Sequence, residues 1–182
     1  MTHLRLLPLV LLFLASPVNA EIEKIATPTD TGIQLQWWPK VQPPPGWHFD
    51  SGSSHHFGFN AMAPDGSTFS KAETVMYAKA DYKPRVPETK SLAQLIDRDI
   101  SDFHQAYPGM AATVEPPVLT ADHKRLKLVT FAPSAGGNWE RVAYGEDAEF
   151  YLLFTVSSRT KGGLERAMPA FKAMVASYRV GP

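Results

Sequence analysis

Apolar and polar residues alternate along several stretches of the chain, with the two-residue period of strands that bury one face. Ile33, Leu35 and Trp37 follow this period and predict a strand, and Glu21 to Gly32 is expected to be a lead-in to it. Proline cannot donate a hydrogen bond to a sheet, so the run Pro43-Pro44-Pro45 predicts that an extended loop follows the strand.

Alternation returns later in the chain. Phe57 and Phe59 would share one face of a strand over 55–63, and Pro64-Asp65-Gly66 is typical of a turn. A second apolar run over 68–82 follows, so the two runs predict a β-hairpin. Further strands are expected at 125–131, 139–144 and 149–158, with an edge strand at 113–119 that contains Pro116-Pro117.

The segment 149–158 differs from the others because it is apolar on both faces. Leu152 and Phe154 lie on one face of this strand, and Tyr151 and Leu153 lie on the other. A strand with two apolar faces is covered on both sides. We therefore expect it at the centre of the sheet.

Two segments show helical periodicity. Ser91 and Gln94 form a capping box that begins the first helix, and Pro108-Gly109 ends it. The apolar positions of the second, C-terminal helix are Leu164, Met168, Phe171, Val175 and Tyr178. Because proline fits only the first turn of a helix, Pro169 predicts that this helix begins near Met168.

The order of these elements determines the predicted fold class. Strands follow one another along the chain and the two helices stand apart from them, instead of alternating strictly with strands. This order predicts an α+β domain with an antiparallel sheet of about six or seven strands flanked by helices.

Composition narrows the range of functions. The chain has 182 residues, with 18 Lys and Arg against 18 Asp and Glu, and no cysteine. This length fits one ordinary domain. Balanced charge argues against a nucleic-acid partner, which would need clustered basic residues. The lack of cysteine excludes disulfides, thiolate nucleophiles and cysteine-based metal centres.

The N-terminus has the pattern of a cleavable signal peptide. A short basic start at His3 and Arg5 precedes an apolar run over 6–14 and a small-residue end at Ala20. The run is shorter than the roughly 20 residues of a membrane-spanning helix. We therefore expect residues 1–20 to be removed, leaving a single α+β domain over 21–182 in the periplasm or outside the cell, without an integral membrane span.

Several stretches of the mature chain carry a family resemblance. They are Ile33-Gln34-Leu35 followed by Pro45-Gly46-Trp47, then Pro64-Asp65-Gly66, the helix start from Ser91 to Ile96, and the ending from Ala170 to Arg179. In these stretches the chain resembles the PsbP-like superfamily, the fold of PsbP, the import factor Mog and bacterial domains of unknown function. The resemblance implies the same α+β fold and a binding, assembly or chaperone-like role without catalysis.

The densest polar cluster lies between Trp47 and His56. Its stretch 49–54 looks like the catalytic segment of aspartic proteases, but those enzymes need two such segments and the chain has one. The weak metal-ligand candidates are His48, Asp50, His55 and His56. In a regular strand, His55 and His56 would point to opposite faces, so one ion could bind only one of them unless the chain bulges there. No catalytic residue, metal or cofactor is therefore predicted.

Aromatic and proline residues around this cluster form the predicted binding surface. Its residues are Trp38, Pro44, Trp47 and Phe49. Rigid aromatic side chains often anchor interfaces. The sequence thus predicts an exported, non-catalytic binding or assembly module of the bacterial cell envelope, which engages an envelope protein or a small apolar ligand. The alternative is a periplasmic hydrolase with a dispersed or metal-assisted site. The oligomeric state is left open.

Overall fold

The structure is a computed structural model that describes residues 22–134 and 136–179. These residues form one antiparallel sheet of nine strands with three α-helices. The strands are β1 (Ile22–Thr29), β2 (Gly32–Pro39), β3 (Trp47–Phe49), β4 (Asn60–Pro64), β5 (Thr74–Tyr82), β6 (Ala111–Leu119), β7 (Arg125–Ala132), β8 (Trp139–Asp147) and β9 (Phe150–Ser158). The helices are α1 (Ser51–Phe57), α2 (Leu92–Ala106) and α3 (Lys161–Ala176), with a short 3-10 helix at Lys83–Arg85. The predicted α+β class is confirmed, with more strands than expected.

The strands are ordered β1-β2-β5-β9-β8-β7-β6 across the sheet, and β4 pairs with both β3 and β5. Strand β9 lies at the centre, as its two apolar faces predicted. Strand β6 contains Pro116 and Pro117 and lies at an edge of the sheet. Proline has no N–H group to donate, and an edge strand tolerates this because it has a neighbouring strand on one side only.

Helices α2 and α3 cover opposite faces of the sheet. Leu152 and Phe154 of β9 pack in a core cluster with α3, and Tyr151 and Leu153 pack in a second cluster with α2. The predicted apolar stripe of the C-terminal helix is buried in the first cluster: Leu164, Met168, Phe171, Val175 and Tyr178.

The N-terminal third of the domain departs from the predictions. The expected lead-in is a full strand, β1, which pairs with β2 from Ile22 opposite Pro39 to Thr29 opposite Gly32. The expected loop contains β3 and α1, and α1 also occupies the first part of the strand predicted over 55–63. The reason is local: Asp50 caps α1 by accepting from the Ser53 N–H.

The predicted start of α2 is confirmed, whereas the predicted start of α3 is not. Ser91 caps α2 by accepting from the Gln94 N–H, as expected from the capping box. The expected start of α3 near Met168 is wrong, because the helix begins at Lys161 behind a Thr160 cap. Pro169 lies inside this helix on its exposed side, where the carbonyl group that loses its helical partner can reach water.

The predicted signal peptide over 1–20 lies outside the described residues. Within the part of the chain that the structure describes, no helix is both long and apolar enough to cross a membrane.

Candidate ligand-binding cleft

The four residues of the predicted binding surface do not form one patch. Trp47 packs against the core on the α3 side of the sheet. Trp37 also packs there, so its neighbour Trp38 points to the other face, where its ring lies 5.4 Å from that of His55. Pro44 is buried and Phe49 is exposed. A partner-binding role for this segment stays a prediction.

The weak metal candidates are similarly dispersed. The His48 imidazole contacts the Asp65 carboxylate at 3.3 Å, and Asp50 is occupied as the cap of α1. His55 and His56 are exposed on α1. Over 22–134 and 136–179, no three His, Asp or Glu residues are grouped so that they could hold a metal ion.

A different region brings polar and aromatic side chains together. A cavity of about 330 Å³ opens between α2 and the sheet near the beginning of β8, and we name it the α2 cleft. Its lining residues are Tyr77, Asp99, Asp102, Phe103, Ala106, Tyr107, Asn138 and Glu140. The volume is at the lower end of the range for small-molecule sites.

The helix wall of the α2 cleft follows from helical spacing. Asp102 and Phe103 follow Asp99 by three and four residues and precede Ala106 by four and three, so the four side chains share one side of α2. The apolar stripe that begins at Leu95 holds this helix on the sheet and turns that face toward the cleft.

The sheet wall is built from three adjacent strands. Thr155 of β9 is the cross-strand partner of Tyr77 on β5, and Ser157 of β9 is the partner of Glu140 on β8. Ser157 donates to Oε1 of Glu140 at 2.7 Å, and the Asn138 amide donates to Ser157 Oγ at 3.1 Å. This network fixes the Glu140 carboxyl at the floor of the cleft.

Burial changes the acidity of Glu140. The loss of hydration raises the pKa of its carboxyl to about 7, against the hydrogen bond from Ser157, which favours the charged form. The nearby Asp99 charge raises this pKa further. Glu140 therefore changes charge near neutral pH, a property that is common in functional sites.

Two further ionisable groups beside Glu140 are also perturbed. Burial raises the pKa of Asp99, against a hydrogen bond donated by the Tyr144 hydroxyl. Burial and the charge of Glu140 raise the pKa of the Tyr77 phenol, which stays neutral. Three titratable side chains from β5, α2 and β8 thus influence each other across one cavity.

An aromatic cluster adjoins the cleft at Tyr77. The ring of Phe59 stacks on that of Tyr77 with 4.3 Å between centroids, and Phe69 contacts both. Phe57 extends the cluster to the surface and is 51% exposed. These ring contacts hold Tyr77 in place, and the cluster extends from the cleft at Tyr77 to the protein surface at Phe57.

The sequence carried a signal for this site that our predictions did not use. Glu140 shares a strand face with Val142 and Tyr144, both of which are buried in the core under α2. A carboxylate on an inward-facing strand position is costly unless it has a partner or a function. The aromatic side chains of Phe103 and Tyr107, at the end of α2, also line the cleft.

A second concave surface lies on the other side of α2. It is a mainly apolar groove of about 530 Å³ beside the edge strand β6, where Val114 is 78% exposed. The groove is larger than the cleft. The α2 cleft is nevertheless the better candidate site, because hydrogen-bonded and mutually interacting ionisable groups converge there.

Comparisons with known proteins bear on the fold. Neither a protein-family model nor a curated protein matches the sequence. The chain is similar to a solved structure from Pseudomonas aeruginosa, a protein of unknown function for which a regulatory role has been suggested, with a TM-score of 0.52 and 14% sequence identity. The similarity covers 87% of this chain and 98% of that chain. At this identity it supports the fold alone.

Proposed function

We propose that the protein is an exported, non-catalytic binding module of the bacterial cell envelope that holds its ligand in the α2 cleft. The observation that carries the proposal is the cleft itself, a cavity with aromatic walls and a polar floor of Asn138 and Glu140, which are linked by hydrogen bonds through the buried Ser157 behind them. Apolar walls with a few oriented polar groups are typical of ligand sites.

Membership of the PsbP-like superfamily is part of this proposal. The resemblance in the sequence and the α+β architecture support it, and a binding role agrees with what that resemblance implies. Export is also part of the proposal, supported by the signal-like pattern before Glu21. N-terminal sequencing of the protein from a periplasmic fraction should give Glu21, whereas Met1 would contradict export.

The competing function is a hydrolase that uses Ser157 with Glu140 as its base. The 2.7 Å hydrogen bond and the pKa of Glu140 near 7 favour it. However, Ser157 is buried and does not line the cavity, so a substrate in the cleft would not reach its hydroxyl group. This geometry supports binding over nucleophilic catalysis.

Small probes of different charge can test the cleft as a binding site. We would titrate the isotope-labelled protein with 2-phenylethanol, phenylacetate and phenethylammonium and follow amide resonances by NMR. At least one probe should shift resonances of Phe103, Tyr107 and Glu140. Ala106→Trp should abolish these shifts by filling the cleft, whereas Gln105→Trp on the neighbouring exposed position should keep them.

Two results would contradict the proposed function. The first is that no probe perturbs the cleft, or that Ala106→Trp leaves the perturbations unchanged. The second is hydrolysis of a p-nitrophenyl ester by the wild type that is lost in both Ser157→Ala and Glu140→Gln, which would favour the hydrolase.

A further inference from the structure

We propose that the α2 cleft selects an organic cation, whose charge is shared between carboxylates and aromatic rings of the cavity wall. This inference rests on the proposed function and specifies the ligand class of the same site. The shared chemistry is a positively charged nitrogen group of modest size, carried either by a free small molecule or by the lysine or arginine side chain of a polypeptide.

The charge of the lining supports a cation. Asp99, Asp102 and Glu140 line the cavity, and none of its other lining residues is basic. Among the described residues, none of these three carboxyl groups has a basic nitrogen within 4 Å. An anionic ligand would therefore be repelled, whereas a cation would gain from all three groups.

The two basic residues whose charges act on Asp99, Lys79 and Arg98, form their ion pairs with carboxylates outside the cleft. Lys79, which interacts with Asp99 at longer range, forms its ion pair with Asp81 at 3.7 Å. Arg98 donates to Glu88 at 2.9 Å and to Thr89 at 2.8 Å. These pairings leave the negative charge of the cleft available to a ligand.

The aromatic lining indicates an organic cation rather than a metal ion. Tyr77, Phe103 and Tyr107 line the cavity, and aromatic faces attract diffuse ammonium and guanidinium charges. Two of the rings are held by internal stacking, Tyr77 on Phe59 and Phe103 on Phe131, each with 4.3 Å between centroids. Their positions are thus fixed before a ligand binds, which lowers the entropy cost of binding.

Glu140 makes this selection dependent on pH. The groups facing it are Tyr77 from β5, Ser157 from β9 and Asp99 and Asp102 from α2, and none of them is basic. With a pKa of about 7, the carboxyl group loses its proton between pH 6 and pH 8. A cation should therefore bind more tightly at pH 8, when the cleft carries more negative charge.

The test compares choline with 3,3-dimethylbutan-1-ol, its neutral isostere, by isothermal titration calorimetry and by NMR. Choline keeps its charge at all pH values used, so any pH dependence belongs to the protein. We expect choline to bind in the cleft at least about tenfold more tightly than the alcohol. Its affinity should rise from pH 6 to pH 8.

Three substitutions locate the effect. Asp102→Asn, on an exposed position that should not disturb folding, is expected to weaken choline binding about threefold to tenfold. Glu140→Gln should remove the rise between pH 6 and pH 8. Asp97→Asn, on the same helix but lining the groove on its other side, should leave both properties unchanged.

The source of the cation is resolved by a third probe, N-acetyl-arginine amide, with its citrulline analogue as the neutral control. Preference for the arginine derivative over choline would identify a polypeptide side chain, and the reverse would identify a free small molecule. Equal binding of choline and its neutral isostere in the cleft would overturn the inference and leave the proposed function standing. If none of the charged or neutral probes enters the cleft, the proposed function itself fails.

Discussion

Ser157 and Glu140 are joined by a 2.7 Å hydrogen bond between cross-strand partners on β9 and β8. Burial raises the pKa of Glu140 from its ordinary 4.5 to about 7. Between these values the folded protein binds a proton that the unfolded chain has released. Binding of this proton stabilises the folded protein. Its contribution to the free energy of unfolding is fully present below pH 4.5 and is lost as the pH rises through 7, by roughly 3 kcal/mol in total.

Urea denaturation at pH 5, 6, 7 and 8 should therefore show that the free energy of unfolding falls as the pH rises. Burial also raises the pKa of Asp99, which changes stability with pH in the same direction. In Glu140→Gln the fall should be much smaller, while the exposed control Glu149→Gln should follow the wild type. A Glu140→Gln variant that keeps the full wild-type slope would show that Glu140 does not ionise in this range.

Phe171 lies fully buried between α3 and the sheet. Phe171→Ala should lower the free energy of unfolding by about 3–5 kcal/mol, because it removes a buried ring and leaves a cavity. Lys172→Ala, on the exposed side of the same helix, should change it little. Thermal or urea unfolding measures both variants. Equal stability of the Phe171→Ala variant and the wild type would mean that α3 does not pack on the sheet through this residue.

The predictions from sequence were accurate where a local pattern determines the structure. The two apolar faces of β9 identified it as the central strand, and Ser91 with Gln94 identified the start of α2. Both signals act over a few residues, so neither depends on the rest of the chain.

The predictions were wrong where contacts between distant residues decide the structure. β1 became a strand because it pairs along its whole length with β2, although its own residues show no clear alternation. The α2 cleft was not predicted for a related reason. Tyr77 and Glu140 are far apart in sequence, and only the placement of β9 between their strands brings them to one cavity.

Asp50 is a structural residue in this protein. Its Oδ1 accepts from the Ser53 N–H and its Oδ2 from the Phe69 N–H, both at 2.9 Å, so it ties the beginning of α1 to the loop before β5. Asp50→Ala should lower the free energy of unfolding by about 1–2 kcal/mol. Asp50→Asn, which keeps one accepting oxygen, should lie between the alanine variant and the wild type in urea denaturation.

The same two N–H groups hold the pKa of Asp50 below its usual range. Its contribution is therefore present above the unfolded pKa and is lost as the pH falls through the lower folded value, opposite in sign to Glu140. The difference in stability between the wild type and Asp50→Ala should shrink in acid. A difference that stays constant down to pH 2 would contradict the assigned role.

Pro169 lies in the middle of α3, where proline removes a backbone hydrogen bond and crowds the preceding turn. The residue is exposed, so its replacement costs no core packing. Pro169→Ala would allow the N–H of residue 169 to donate to the carbonyl of Glu165. We expect the free energy of unfolding to rise by about 1–2 kcal/mol. Alanine has a higher helix propensity than proline, and the greater conformational freedom of the unfolded alanine variant offsets part of that gain.

The control is Ala173→Gly, at an exposed position one turn later. It should lower the free energy of unfolding by about 1 kcal/mol if this part of α3 is helical in solution. If Pro169→Ala lowers stability while Ala173→Gly has no effect, the regular helix does not extend through Pro169.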